Sequence, residues 1–123
     1  AMGLSGVVVS ENCCDLYNLK TIRAAMGSLF RIPVLRVNME RFLKESGLRA
    51  YAAVVDSDAP PVGTADFRGV VVVIGNEGNG LTKAQAAACS GRITIPMRGN
   101  AESLNAAMAA TILMWEMSGK GVR

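Results

Sequence analysis

The run Gly75-Asn76-Glu77-Gly78-Asn79-Gly80-Leu81-Thr82-Lys83 has the make-up of a ligand-holding loop: glycines that allow close backbone approach, with one carboxylate among them. It follows the apolar stretch Val70 to Ile74 and precedes a Thr82-x-x-Gln85 capping box. That places it at the carboxyl end of a strand, where open α/β sheets collect ligands. Two well-known phosphate loops fail here. Gly75 and Gly80 have P-loop spacing, but Leu81 stands where that loop needs its lysine; a dinucleotide fingerprint begun at Gly78 needs glycine where Lys83 stands. Glu77 repels phosphate, which favours an uncharged or cationic ligand. A tight strand-to-helix turn without any ligand is the other reading of such a loop taken alone.

A second polar turn follows the next apolar run. Ile95-Pro96-Met97 leaves that strand, and Asn100-Ala101-Glu102-Ser103-Leu104-Asn105 leads into a last helical pattern. Pro96 fixes the exit of the chain, while Ser103 and Asn105 put short hydrogen-bonding groups in the first turn of a helix. They serve there as ligand contacts or as ordinary helix-start residues.

Other chemistry is excluded by composition. With no His among 123 residues, Ser-His-Asp and Cys-His nucleophiles, His-bearing metal sites and imidazole acid-base catalysis are all absent. Cys13, Cys14 and Cys89 have no CxxC spacing and no fourth soft ligand, so no metal site is expected. They read as reduced thiols, with the adjacent Cys13 and Cys14 as small buried hydrophobes in preference to the alternative, a reactive pair. A net charge of +3 leans towards acidic partners and permits RNA binding without demonstrating it. No long apolar run spans a membrane and no signal peptide opens the chain, so a cytoplasmic protein is expected.

The elements that must position these loops alternate. Val7 to Val9, Pro33 to Val37, Ala50 to Val55, Val70 to Ile74 and Arg92 to Ile95 read as strands, the fourth apolar enough to be buried on both faces. Asn38 caps a helix to Ser46 that Gly47 stops, and the capping box starts one running to about Cys89. The last helix, about Glu102 to Met117, is expected to dock by a stripe of Leu104, Met108, Thr111 and Trp115. Asp56 to Thr64 is expected as a surface loop. This alternation predicts a single α/β domain over residues 1–123 with a mainly parallel sheet and flanking helices.

Together these segments resemble the SpoU family of RNA ribose 2'-O-methyltransferases within the knotted SPOUT superfamily. IGNEGNGL at Ile74 to Leu81 resembles the second motif of the family, and IPMRGNAESLNAAMAATILMWE at Ile95 to Glu116 its third. Arg23 to Val34 (RAAMGSLFRIPV) is similar to the segment between the first and second motifs.

The resemblance implies a C-terminal trefoil knot, a rare exception to unknotted topology, holding S-adenosylmethionine as co-substrate without a metal. It implies cofactor contacts at Gly75, Glu77 and Gly78 of the loop, at Ile95 and Met97 of the adenine turn, and at Ser103, Leu104 and Asn105. Ser103 and Asn105 would orient the reacting groups and Glu77 would hold the loop, the three together forming the catalytic set. Arg31 is an RNA contact or simply a solvated side chain after a helix. The family further implies a homodimer, with Trp115 and the Met-rich last helix as interface candidates.

The first motif, with its Asn and activating Arg, has no counterpart here: Asn18 to Arg23 lacks its glycine and is one residue short, which puts Arg23 on a helix surface. The chain therefore reads as a SpoU-type domain truncated at its N-terminus. The expected function is S-adenosylmethionine-dependent ribose 2'-O-methylation of tRNA or rRNA. The alternative is a module that binds the cofactor and dimerises without catalysis. A generic Rossmann-like nucleotide binder is disfavoured by the two failed phosphate fingerprints.

Overall fold

The computed structural model describes residues 1–99 and 101–119. Asn100 of the third-motif run lies outside the described residues. In chain order the elements are β1 (Val7–Ser10), α1 (Leu19–Ala25), a 3-10 turn (Ser28–Phe30), β2 (Val34–Val37), α2 (Met39–Glu45) and β3 (Arg49–Ala53). A second 3-10 turn (Val62–Thr64), β4 (Val70–Ile74), α3 (Lys83–Ala88), β5 (Gly91–Ile93) and α4 (Ala106–Met117) follow. Every ladder is parallel, as strand–helix alternation predicts. The strands fall into two sheets, β1-β2 and β4-β3-β5.

Local signals place the helix ends. Asn38 Oδ1 accepts the Arg41 amide to start α2, and Gly47 at φ +70° follows its end. Thr82 and Gln85 form the full reciprocal box at α3, with both hydrogen bonds at 3.1 Å. Asn18 caps α1 through the Thr21 amide at 2.8 Å, and Arg23 is exposed on it.

Alternation along β3 and β4 splits the core into two halves. Ala50 and Val73 pack with Leu43 under α2 and α3, while Tyr51 and Val72 point the other way, with Ile93, Leu113 and Val62 under α4. Tyr51 and Phe67 add an edge-to-face ring pair, centroids 6.2 Å apart, on that second side.

Several sequence expectations need correction. β4 packs on both faces but is less buried than expected: Val71 and Val73 meet one core half and Val72 the other, yet only Val73 is fully buried and Ile74, at the carboxyl end, is exposed. β3 ends at Ala53 and β5 at Ile93, short of Val55 and Ile95: Val54 makes a last bond to Ile93 O at 2.9 Å, and the chain beyond β5 turns to new partners. Thr94 donates to Pro60 at 3.0 Å and accepts from Val62 at 2.8 Å. Those bonds draw the Asp56 to Thr64 segment onto the sheet, so Ala59 and Val62 are buried rather than at the surface. Arg92 on β5 clasps Asp56 at 2.5 Å where that segment starts.

The last helix begins at Ala106, with Asn105 as its cap, so Ser103 lies before the helix and not in its first turn. Of its expected docking stripe, Leu104 lies before the helix and is half-buried, while Met108, Thr111 and Trp115 are exposed; Leu113, 1% exposed, is the inward residue. Cys13 and Cys14 are exposed and Cys89 half-buried, all free thiols. The Cys13–Cys14 turn is held by main-chain bonds instead of burial, with the Arg36 guanidinium meeting the carbonyls of Ser10, Glu11, Cys13 and Cys14 at 2.6–3.3 Å.

Candidate functional site

A cavity of about 470 Å³ opens where the carboxyl ends of β3, β4 and β5 meet the start of α4. That volume lies within the roughly 300–1,000 Å³ common to small-molecule sites. Gly75 and Glu77 enter it from the loop after β4, Ile95 and Met97 from the turn after β5, and Ser103, Leu104 and Asn105 from the approach to α4. Three separate runs of sequence thus converge on one space. Of the residues singled out as cofactor contacts, only Gly78 does not line it, and Arg31 lies elsewhere, exposed at the end of the first 3-10 turn.

The glycine loop is rigid for identifiable reasons. Asn76 and Gly80 pair across it, Gly80 N–H donating to Asn76 O at 2.9 Å and Asn76 N–H to Gly80 O at 3.3 Å. The Asn76 side-chain oxygen accepts the amides of Gly78 at 3.0 Å and Asn79 at 2.7 Å. This accounts for Gly78: its donor is engaged inside the loop. Gly80 turns the chain at φ +63°. Gly75 has no room for a side chain, since an added Cβ would stand 2.2 Å from the Gly80 carbonyl carbon.

The amides of Asn76, Gly78, Asn79 and Gly80 therefore close the loop on itself and do not form an anion-binding nest. Among the described residues no Lys or Arg lines the cavity, and Glu77 is the one ionisable side chain that does. Phosphate finds no positive charge among them. The walls are mostly apolar, with Leu81, Ile95, Met97 and Leu104 around a floor made by Leu113. Such a site suits a flat apolar group together with a neutral or cationic one.

Asn105 has a double position. Its Oδ1 accepts the Ala107 amide at 2.9 Å as the α4 cap, and its side chain also borders the cavity. Its Nδ2 makes no hydrogen bond among the described residues, so it can donate to a ligand.

Sequence reasoning missed Asn76, Val54, Val55, Thr94 and the Ala106–Ala109–Leu113 face of α4. The small residues Ala106 and Ala109, three apart, were the available signal for the last of these: they leave room where a larger side chain would fill the cavity. Val54 and Val55 follow the carboxyl end of β3, the same location that drew attention to the glycine loop.

Comparison with known proteins gives a consistent result. The model of the SpoU rRNA Methylase family matches residues 1–115. A Bacillus subtilis 23S rRNA (guanosine(2553)-2'-O)-methyltransferase is 36% identical over 97% of this chain and 49% of its own. A Streptomyces viridochromogenes 23S rRNA (uridine(2479)-2'-O)-methyltransferase is 34% identical over 94% of this chain and 44% of its own. Among solved structures, an AdoMet-bound rRNA methyltransferase from Sinorhizobium meliloti superposes with a TM-score of 0.90 at 32% identity, covering 99% of this chain and 48% of that one. The chain spans about half the length of the curated relatives it matches.

Proposed function

The chain belongs to the SpoU rRNA Methylase family, and from that premise we propose that it is the cofactor-holding domain of an S-adenosylmethionine-dependent RNA ribose 2'-O-methyltransferase acting on rRNA or tRNA. The observation that carries this reading is the single cavity shared by Gly75, Glu77, Ile95, Met97, Ser103, Leu104 and Asn105.

The residues present fit the co-substrate on chemical grounds. Adenine needs apolar walls and a few backbone partners, and Met97 and Leu104 supply the walls. A sulfonium carries positive charge and no phosphate, which matches a cavity whose one ionisable side chain is Glu77. When bound, S-adenosylmethionine supplies an electrophilic methyl group for transfer to a ribose hydroxyl. Methyl transfer depends chiefly on alignment. In this chain the closed Asn76–Gly80 loop holds Glu77 at the cavity, and the Ser103 hydroxyl and Asn105 Nδ2 orient bound groups. Glu77, Ser103 and Asn105 are the proposed catalytic set.

Further parts of the reading have narrower support. One domain over 1–123 has its support from Met39 onward, where the two core halves share the β4-β3-β5 sheet. A C-terminal knot is supported by the pairing of Thr94 with Pro60 and Val62, which lays the chain after β5 along the β3–β4 connection. A homodimer is supported by Met108 and Trp115, exposed on α4. No helix among the described residues is long and apolar enough to cross a membrane.

One observation favours a second reading, a binding module without catalysis of its own. Among the described residues no cation lines the cavity to help a ribose hydroxyl lose its proton. Titration calorimetry with S-adenosylmethionine, S-adenosylhomocysteine and ATP tests the site. Binding of the first two with ATP silent is expected, and binding of ATP alone sinks the assignment. Transfer of a tritiated methyl group to rRNA then separates enzyme from binding module.

A further inference from the structure

We propose that the surface formed by α1 and the 3-10 turn behind it, Tyr17 to Arg31, is a docking face for single-stranded RNA, stacking bases on Tyr17 and Phe30 between phosphate contacts from Lys20, Arg23 and Arg31. The proposal rests on the RNA-methyltransferase reading above, and it concerns a surface outside the cavity.

Charge is the first support. Tyr17 to Arg31 contains Lys20, Arg23 and Arg31 and no Asp or Glu, so its formal +3 equals the net charge of the whole chain. None of the three cations is neutralised locally: the ion pairs among the described residues use Arg41, Arg49, Arg68 and Arg92. Lys20 and Arg23, three apart on α1, share one face of the helix. Both are exposed, as is Arg31.

Exposed rings are the second support. Tyr17 is 65% exposed and Phe30 69%, a costly display for large apolar side chains unless something covers them. Planar rings interspersed with cations are what a single strand needs, because every base has a face to stack and every nucleotide a phosphate to neutralise. A duplex hides its base faces and leaves the rings without partners. A protein partner would use the same rings, but three cations in a segment without a carboxylate favour an acidic counterpart, which RNA provides at each nucleotide. The segment is also fixed in shape: the Asn18 cap starts α1, Met26 and Gly27 at positive φ turn the chain, and the 3-10 turn packs back on the helix.

The test is fluorescence anisotropy of the full chain with a labelled single-stranded RNA and with the same sequence as a duplex, over a salt series. S-adenosylmethionine affinity is measured in parallel by calorimetry. The wild type is expected to prefer the single strand. A Lys20→Ala/Arg23→Ala/Arg31→Ala variant should lose at least tenfold in affinity and flatten the log–log salt slope by about 2, at roughly 0.7 per phosphate contact. Tyr17→Ala/Phe30→Ala should weaken single-strand binding by roughly 5- to 150-fold per stacked base, with the salt slope unchanged and Tyr17→Phe restoring its share.

Wild-type RNA affinity in both variants, with cofactor binding intact, overturns the proposal while leaving the methyltransferase reading in place. Loss of self-association in the aromatic variant, without loss of RNA affinity, also overturns it in favour of a protein interface. RNA binding through this face by a chain that binds no cofactor supports the surface and removes the reading on which it was built.

Discussion

Asn76 and Gly80 hydrogen-bond to each other in both directions through their main chains, and the Asn76 side chain accepts two more amides from the residues between them. Glu77 therefore sits on a closed turn of fixed shape. Its presentation to the cavity depends on Asn76 as much as on any glycine.

Replacing Asn76 with Ala removes the acceptor for the Gly78 and Asn79 amides. Each is an exposed bond worth about 1 kcal/mol or less. Global stability should change little, while S-adenosylmethionine affinity falls about tenfold as Glu77 loses its fixed position, a factor equivalent to about 1.4 kcal/mol. Asn76→Asp retains the acceptor and should recover most of the loss. Gly75→Ala is harsher, because the new Cβ meets backbone at 2.2 Å. It should abolish binding and cost about 1–3 kcal/mol of stability. Gly63→Ala, with nothing within 4 Å of the added carbon, is the control expected to behave as wild type. Calorimetry and urea unfolding of the same preparations check all four.

The thiols should separate into two classes. Cys13 and Cys14 are exposed, while burial pushes the Cys89 thiol above its ordinary pKa and its Sγ–H donates to the Gln85 carbonyl at 3.3 Å. A disulfide reagent at neutral pH should modify two thiols promptly and the third only slowly. Adding denaturant should bring Cys89 to the fast rate. Three equal rates in the native protein contradict this placement.

Part of the fold and site was legible in the sequence because it is local. The Thr82–Gln85 box, the Asn38 cap and the glycine loop after Val70 to Ile74 each occupy one short window, and the structure places them as the window dictates. What could not be read depends on distant partners. The apolar run of β4 does not reveal that only one of its edges is paired among the described residues, because pairing is a property of two strands. Ala106 to Met117 is apolar almost all round, so periodicity gave no basis for choosing Leu113 over Met108 as the inward residue. Cys13 and Cys14 looked like core residues by type. Their turn is instead held by Arg36, far along the chain, through carbonyls that carry no residue identity.

Acid should weaken the connection between the second 3-10 turn and β4. The Arg68 guanidinium, hydrogen-bonded to Asp66 through both oxygens at 3.0 Å, holds that carboxyl well below the usual carboxylate range, helped by the Arg68 amide and by Arg49. A carboxyl whose pKa is lower in the folded than in the unfolded chain contributes stability above the unfolded value, near 4. That contribution is lost as pH falls from there towards the folded value. Asp66→Asn should therefore make urea midpoints depend less steeply on pH below about 4.5. Because the pair is exposed, the difference should shrink in high salt.

Leu113 and Trp115 stand two residues apart on α4 and should respond to truncation in opposite ways. Leu113 is 1% exposed, packs with Val62 and Ile93 and forms the floor of the cavity, so Leu113→Ala should cost about 2–5 kcal/mol by urea unfolding. The enlarged floor should also weaken S-adenosylmethionine binding in whatever protein remains folded. Trp115 is 49% exposed and makes no comparable core contact, so Trp115→Ala should leave unfolding of the single chain nearly unchanged. If α4 is where two copies meet, that variant should instead shift sedimentation towards the monomer, because buried tryptophans carry a disproportionate share of interface energy. A Trp115→Ala chain that sediments as the wild type places the contact on another face. The cavity, built from the opposite side of the same helix, is untouched by that outcome.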